Sequence, residues 1–224
     1  MNEPPATNHQ RTGLADSRSV VILTTEHLSL LSARNLGYQE MFGRATIFIG
    51  VLSGTVIALA LLAQATQFGR ETLAFAAVLF AVSLFIGLAT FVRCVAINLD
   101  DVRWVMGMSL VRRAYLQIVP ELEQFFVASH EPGVDPQTLG YGSPQRFSNL
   151  TNSLTTTSSV VAALNSVLAG SLASDVGALA GLALTPSLAI GTGVSLVSAV
   201  LHVRYAARFR LQHVPTTKSP PRID

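Results

Sequence analysis

Four stretches of this chain contain no Asp, Glu, Lys or Arg: residues 45–69, 72–92, 147–174 and 176–203. Each is long enough to cross a bilayer, because a helix needs about 20 mostly apolar residues to traverse roughly 30 Å of hydrocarbon. With 50% apolar and only 12% charged residues in a chain of 224, the pattern is hard to reconcile with a soluble domain. The expected fold class is all-α. The chain reads as an integral membrane protein with four transmembrane helices, arranged as two antiparallel hairpins with a cytoplasmic helical extension after the second helix.

The placement of basic residues gives the expected direction of threading. Of 15 Lys and Arg, only Arg70 falls in a connector on the outer side; the other 14 flank the stretches on the opposite side. Basic residues beside transmembrane helices are retained in the cytoplasm, so both termini and the central segment are expected there. A formal charge of +2 without a dense basic run gives no support to nucleic acid as a partner. The single cysteine, Cys94, cannot form an internal disulfide and suits a reducing compartment. The first 40 residues hold no apolar core of secretory-signal length, so the first crossing should serve as its own insertion signal.

Six segments follow. Residues 1–23 read as a disordered cytoplasmic tail containing Pro4, Pro5 and Gly13. Thr24 or Thr25 reads as a cap for an amphipathic interfacial helix over 24–44, with Glu26 in its first turn. The first hairpin covers 45–92 and turns tightly at 67–71. From Arg93 the helical pattern continues without proline until Pro120, so 93–157 is expected to hold a helical extension followed by a Pro- and Gly-rich loop. The second hairpin covers 158–206, with Thr185 and Pro186 as cap and first residue of its second helix. Residues 207–224 form a second cytoplasmic tail.

Within the helices, Gly50 and Gly54 have the GxxxG spacing that lets two backbones approach closely. A turn centred on Thr185 would set Asp175 opposite Ser195, Gly177 opposite Gly193 and Gly181 opposite Ala189. Asp175 is the lone charged residue in 57 positions. Two placements stay open for it. Near mid-membrane it would cost about 2.5–3.5 kcal/mol and would face a protein interior or water; if the helix ends near Ser174, it is a solvated residue of an outer loop. Asn165 joins Asp175 and Ser195 as a candidate intramembrane polar residue.

The sequence contains no GxxxxGK[ST], HExxH or GxSxG motif and no cysteine pair. The five histidines lack metal-ligand spacing, and the adjacent Asp100 and Asp101 point about 100° apart on a helix. No catalytic, metal or cofactor residues are assigned. The run Leu88-Ala89-Thr90-Phe91-Val92-Arg93, followed by Asn98, Asp101, Trp104, Gly107, Arg112, Ala114, Tyr115 and Pro120-Glu121-Leu122, resembles a group of small, uncharacterised multi-pass membrane proteins of high-GC bacteria. That resemblance covers about residues 24–128; it implies a bacterial inner-membrane protein and no activity. The order of an amphipathic helix, two crossings and an extension is also similar to two-helix membrane effectors of bacterial conflict systems, from which the second hairpin departs.

Three function classes remain from sequence. The leading expectation is a non-catalytic anchor or interaction protein that presents a cytoplasmic helical segment. Next comes a homo-oligomeric channel or pore lined by the Ser/Thr/Asn-rich third helix, and last a membrane enzyme. The partners expected are the lipid bilayer, a further copy of the chain and a cytoplasmic protein.

Overall fold

The computed structural model describes residues 17–67, 69–126 and 156–213. The expectations for 1–16, for the Pro- and Gly-rich loop within 127–155 and for 214–224 lie outside the described residues. Among the described residues the chain is all-helical. Helix α1 spans Ser17–Thr66, α2 spans Arg70–Ile118, a short 3-10 helix covers Pro120–Phe125, α3 spans Thr157–Leu179 and α4 spans Leu184–His213. All four α-helices are long and apolar enough to cross a membrane, with peak mean hydropathies of 2.3, 2.5, 1.4 and 1.6.

Helix α1 begins at Ser17, not at the expected Thr24 or Thr25 cap, so residues 17–23 are helical. Both threonines instead return their hydroxyls to carbonyls one turn earlier, Thr24 to Val20 and Thr25 to Val21, each at 2.8 Å. This back-bonding satisfies the hydroxyl within a helix that continues, which removes the reason for a break. Nor does any break separate 24–44 from the apolar stretch that follows. Helix α2 continues past Arg93 and ends just before Pro120, whose ring cannot be accommodated in a helix interior.

Two compact units form, and α1 and α2 contribute to both. In the smaller unit, residues 17–34 meet 102–126. Leu30 packs with Val105 and Met108. It lies against Gly107, where an added β-carbon would come within 3.0 Å of Leu30 Cδ1. His27 stacks on Tyr115 at 6.2 Å, and the Tyr115 hydroxyl donates to Thr24 Oγ1 at 3.4 Å. Burial, and secondarily the nearby Arg112 charge, lowers the His27 pKa.

In the larger unit, contacts between α1 and α2 pair Tyr38 with Asp101, Glu40 with Arg93, Thr55 with Ser83 and Thr66 with Thr72. Numbering falls on one helix as it rises on the other. Arg93 grips Glu40 with two parallel bonds, Nε to Oε1 at 2.8 Å and Nη2 to Oε2 at 2.6 Å, and Arg44 Nε adds a third at 2.9 Å. The core joins Ala45, Phe48, Phe91, Val95, Val161 and Leu168, so three helices meet there. Asn98 donates to Ser158 at 2.9 Å at one end of α3. Arg70 donates to the Leu179 carbonyl at the other, 3.1 Å away, where a cation favours the helix dipole.

Bulky apolar side chains cover the outside as well as filling the core. Phe85, Leu61, Val197 and Leu196 are more than half exposed, whereas Thr55, Ser83, Asn165, Ser166 and Ser187 are buried. Bulky apolar side chains on the outside over buried hydroxyls are compatible with a lipid surrounding.

Hydrogen bonds from Arg93, then Arg44, hold the Glu40 carboxyl down at about 2. Because a free glutamate titrates near 4.3, the pairing stabilises the fold above that pH and is lost as the pH falls toward about 2. Measured as thermal midpoints in detergent, the gap between wild type and Glu40→Gln should therefore narrow from about pH 6 to about pH 3. High salt should narrow it further, since the pair is exposed.

Candidate functional site

The uncharged helices carry a set of buried polar and glycine positions that decide how closely α3 approaches its neighbours. Helix α3 starts where hydroxyl-rich sequence predicts, with the Thr156 side chain accepting a bond from the Ser159 backbone N–H at 3.3 Å. It ends at Leu179, short of the Thr185 turn and past Ser174. Gly181 adopts φ +89°, its N–H bonds to the Ala178 carbonyl, and the Leu182 N–H reaches back to Gly177. This paired arrangement is the Schellman termination that a left-handed glycine permits. Gly181 is thus the stop signal of α3, in place of the expected packing position opposite Ala189.

Moving the turn from Thr185 to 180–183 changes the register of the last two helices. Thr185 and Pro186 fall inside the first turn of α4. The closest approach is between Gly170 and Gly191: a β-carbon on either would come within 2.6 Å of the other's carbonyl oxygen. Ser195 lies beside Gly170 and Ser174 beside Gly191, each at 2.9 Å from such a β-carbon. A β-carbon on Gly177 would come 3.2 Å from Ser187 Oγ, so Gly177 faces Ser187 and not Gly193. Around Gly193, as around Gly50 and Gly54, there is open space within 4 Å. The GxxxG pair of α1 therefore makes no close contact among the described residues.

Asp175 is on the helix and faces a protein interior, so it is not a solvated loop residue. It lies one turn before the end of α3, 8% exposed, with Oδ2 lacking a hydrogen-bond partner among the described residues. No hydrogen bond joins it to Ser195, which the register places a turn and a half away. Asn165 is fully buried, with neither amide atom paired among the described residues. Its Oδ1 occupies the place a β-carbon of Gly87 would take, and Phe48 Cε2 lies 2.7 Å from that same place. Asn165, Gly87 and Phe48 thus form one junction between α1, α2 and α3. His202 stands nearer the other end of the bundle, edge-on to Phe91 at 4.6 Å, with Nδ1 2.7 Å from the Ser198 carbonyl.

Gly87, Gly170 and Gly191 were not singled out by sequence. A signal for the last two existed: with Gly181 as the turn, Gly170 and Gly191 fall opposite one another. Among the described residues no group of three or more His, Cys, Asp or Glu is placed to hold a metal ion. Chemically, the arrangement packs helices and screens polar groups; the Ser198 hydroxyl lies 3.4 Å from His202 Nδ1, which sits closer to the Ser198 carbonyl at 2.7 Å. No family model, curated protein or solved structure matches the chain.

Two substitution series check this geometry by thermal unfolding in detergent. Gly191→Ala and Gly87→Ala should each destabilise by about 1–3 kcal/mol, since backbone or a fully buried side chain must move. Gly193→Ala and Gly50→Ala should stay within about 0.5 kcal/mol. Asn165→Leu should be neutral or stabilising, because it removes a buried amide whose polar atoms are unpaired. A loss above about 2 kcal/mol would show that the amide holds a partner that the helices themselves do not supply.

Proposed function

We propose that the protein is a non-catalytic multi-pass membrane anchor. It is threaded as two antiparallel hairpins with both termini in the cytoplasm, and the outer parts of its long helices engage a cytoplasmic protein. The observation that carries this reading is helix length. Helices α1 and α2 run for 50 and 49 residues without a break, about 75 Å each at 1.5 Å per residue. A bilayer core accounts for only about 30 Å of that. Of the remainder, residues 17–34 and 102–118 belong to a unit with its own small core. In that unit Val21, Ile22, Leu28 and Leu110 stay more than half exposed, as does Phe125 on the 3-10 helix. Apolar side chains displayed outside the uncharged stretches suit a protein partner.

The orientation rests on the asymmetry of Lys and Arg, and the bacterial inner membrane rests on the sequence resemblance described above. A pore lined by α3 draws less support. Its polar residues Ser158, Asn165, Ser166 and Asp175 are buried within the chain, while its exposed positions are Val160, Ala163, Val167 and Val176. Copies assembled around that exposed face would line a channel with valine.

Alkaline carbonate washing of vesicles, combined with impermeant thiol labelling, tests the arrangement. The chain should stay with the membrane, a Gly69→Cys variant should label from outside, and a Phe125→Cys variant should not. Extraction by carbonate would overturn the membrane reading, and outside labelling at 125 would overturn its direction. For the anchor role, Leu122→Asp with Phe125→Asp should abolish recruitment of a cytoplasmic partner without lowering the amount inserted. Unchanged recruitment would exclude this surface.

A further inference from the structure

The end of α4 joins two features that together describe a ligand. Arg204 and Arg208 stand one turn apart, both exposed and without a hydrogen-bond or ion-pair partner among the described residues. Two like charges at this spacing repel one another. Nothing on α4 relieves them, for residues 184–213 contain no Asp or Glu. Phe91 contacts Tyr205 at 5.9 Å, so the neighbouring Arg93 of α2 lies at the same end of the bundle. Near that end Glu40 is already held by Arg93 and Arg44, and Asp100 acts on Arg93. Among the described residues Arg204 and Arg208 are left without a counter-charge.

The same face of α4 carries Gly193, Val197, Val200 and Leu201 below the arginines, since these positions recur at helical spacing. The three apolar side chains are 56–60% exposed, and Gly193 has open space beside it. Beside the arginines, Tyr205 stacks on Phe209 at 5.8 Å, an aromatic pair of the kind found at headgroup depth. An uncharged lane about the length of an acyl chain thus leads up to two adjacent guanidinium groups.

We propose that this face binds an anionic phospholipid, with Arg204 and Arg208 sharing its phosphate and the lane from Gly193 to Leu201 holding an acyl chain. Guanidinium suits the phosphate because its planar donors bond two oxygens at once. The inference rests on the membrane reading above. The committed occupant is a lipid and not a free phosphate, because a soluble anion would leave the apolar lane unused.

Native mass spectrometry of the full chain in detergent, titrated with dioleoylphosphatidylglycerol, tests it. Dioleoylphosphatidylcholine and inorganic phosphate serve as separate arms. Wild type should retain phosphatidylglycerol in preference to phosphatidylcholine and should show no retention of phosphate. Arg204→Gln with Arg208→Gln should weaken phosphatidylglycerol retention about thirtyfold, at about 1 kcal/mol per basic residue. Arg70→Gln, at the far end of the bundle, should leave the preference intact. If the double variant cannot be purified, Arg208→Gln alone should show a partial loss, about fivefold. Equal retention of the two lipids, an unchanged preference in the variants, or saturation by inorganic phosphate would each overturn the site. Should the membrane reading itself fail, the protein would leave vesicles in carbonate, an outcome separate from all of these.

Discussion

Four helices long and apolar enough to cross a membrane set the governing constraint, because inside a bilayer polar groups have to be satisfied without water. In hydrocarbon an unpaired peptide group costs several kcal/mol, so the uncharged stretches have helix as their sole open form available to a chain of separate segments. Association must then come from close packing and internal hydrogen bonds, because lipid tails are as apolar as leucine. The interior follows from that constraint. Thr55 meets Ser83 at 3.0 Å, Ser166 returns its hydroxyl to Ala162, and Ser187 does the same to Ala183. Hydroxyls satisfied locally can be buried, leaving the outer surface to valine, leucine and phenylalanine.

Asn165 and Asp175 stand apart from that economy. Both are at least nine-tenths buried on α3, and both keep polar atoms unpaired among the described residues. Asn165 is wedged where α1, α2 and α3 converge, made possible by the missing side chain of Gly87. Asp175 lies near the end of its helix, close to the Arg70–Leu179 contact but without a bond to it. Together with His202, whose Nε2 is also buried without a partner among the described residues, these are positions at which packing and polarity disagree.

Much of the architecture was legible from charge alone. The four helices occupy the four uncharged stretches, since a missing charge constrains every register of a helix equally. The extension of α2 to Ile118 followed from a helical pattern without proline, and Pro120 ended it as its ring dictates. Boundaries set by weak local signals were less readable. Thr24 and Thr25 look like caps in isolation, yet a threonine hydroxyl can equally bond back one turn, and the helix continues through them. Thr185-Pro186 likewise looked like the last turn. The decisive residue was Gly181, whose left-handed conformation stops α3 several residues earlier and resets every pairing with α4. Which polar residues face inward had no sequence signal at all: a stretch apolar on all sides has no amphipathic phase to reveal it, so Asn165 and Gly87 could not have been joined on that basis.

The contact between Gly170 and Gly191 carries a further consequence for how the last two helices hold together. Both glycines lie within helices, so the conformational freedom glycine surrenders is given up in forming those helices. What remains at the contact is backbone against backbone, with no rotatable side chain to freeze at its centre. Long side chains at such a crossing would lose rotamer freedom on docking, whereas this joint has almost none to lose. Its tightness arises from what was never there to be immobilised.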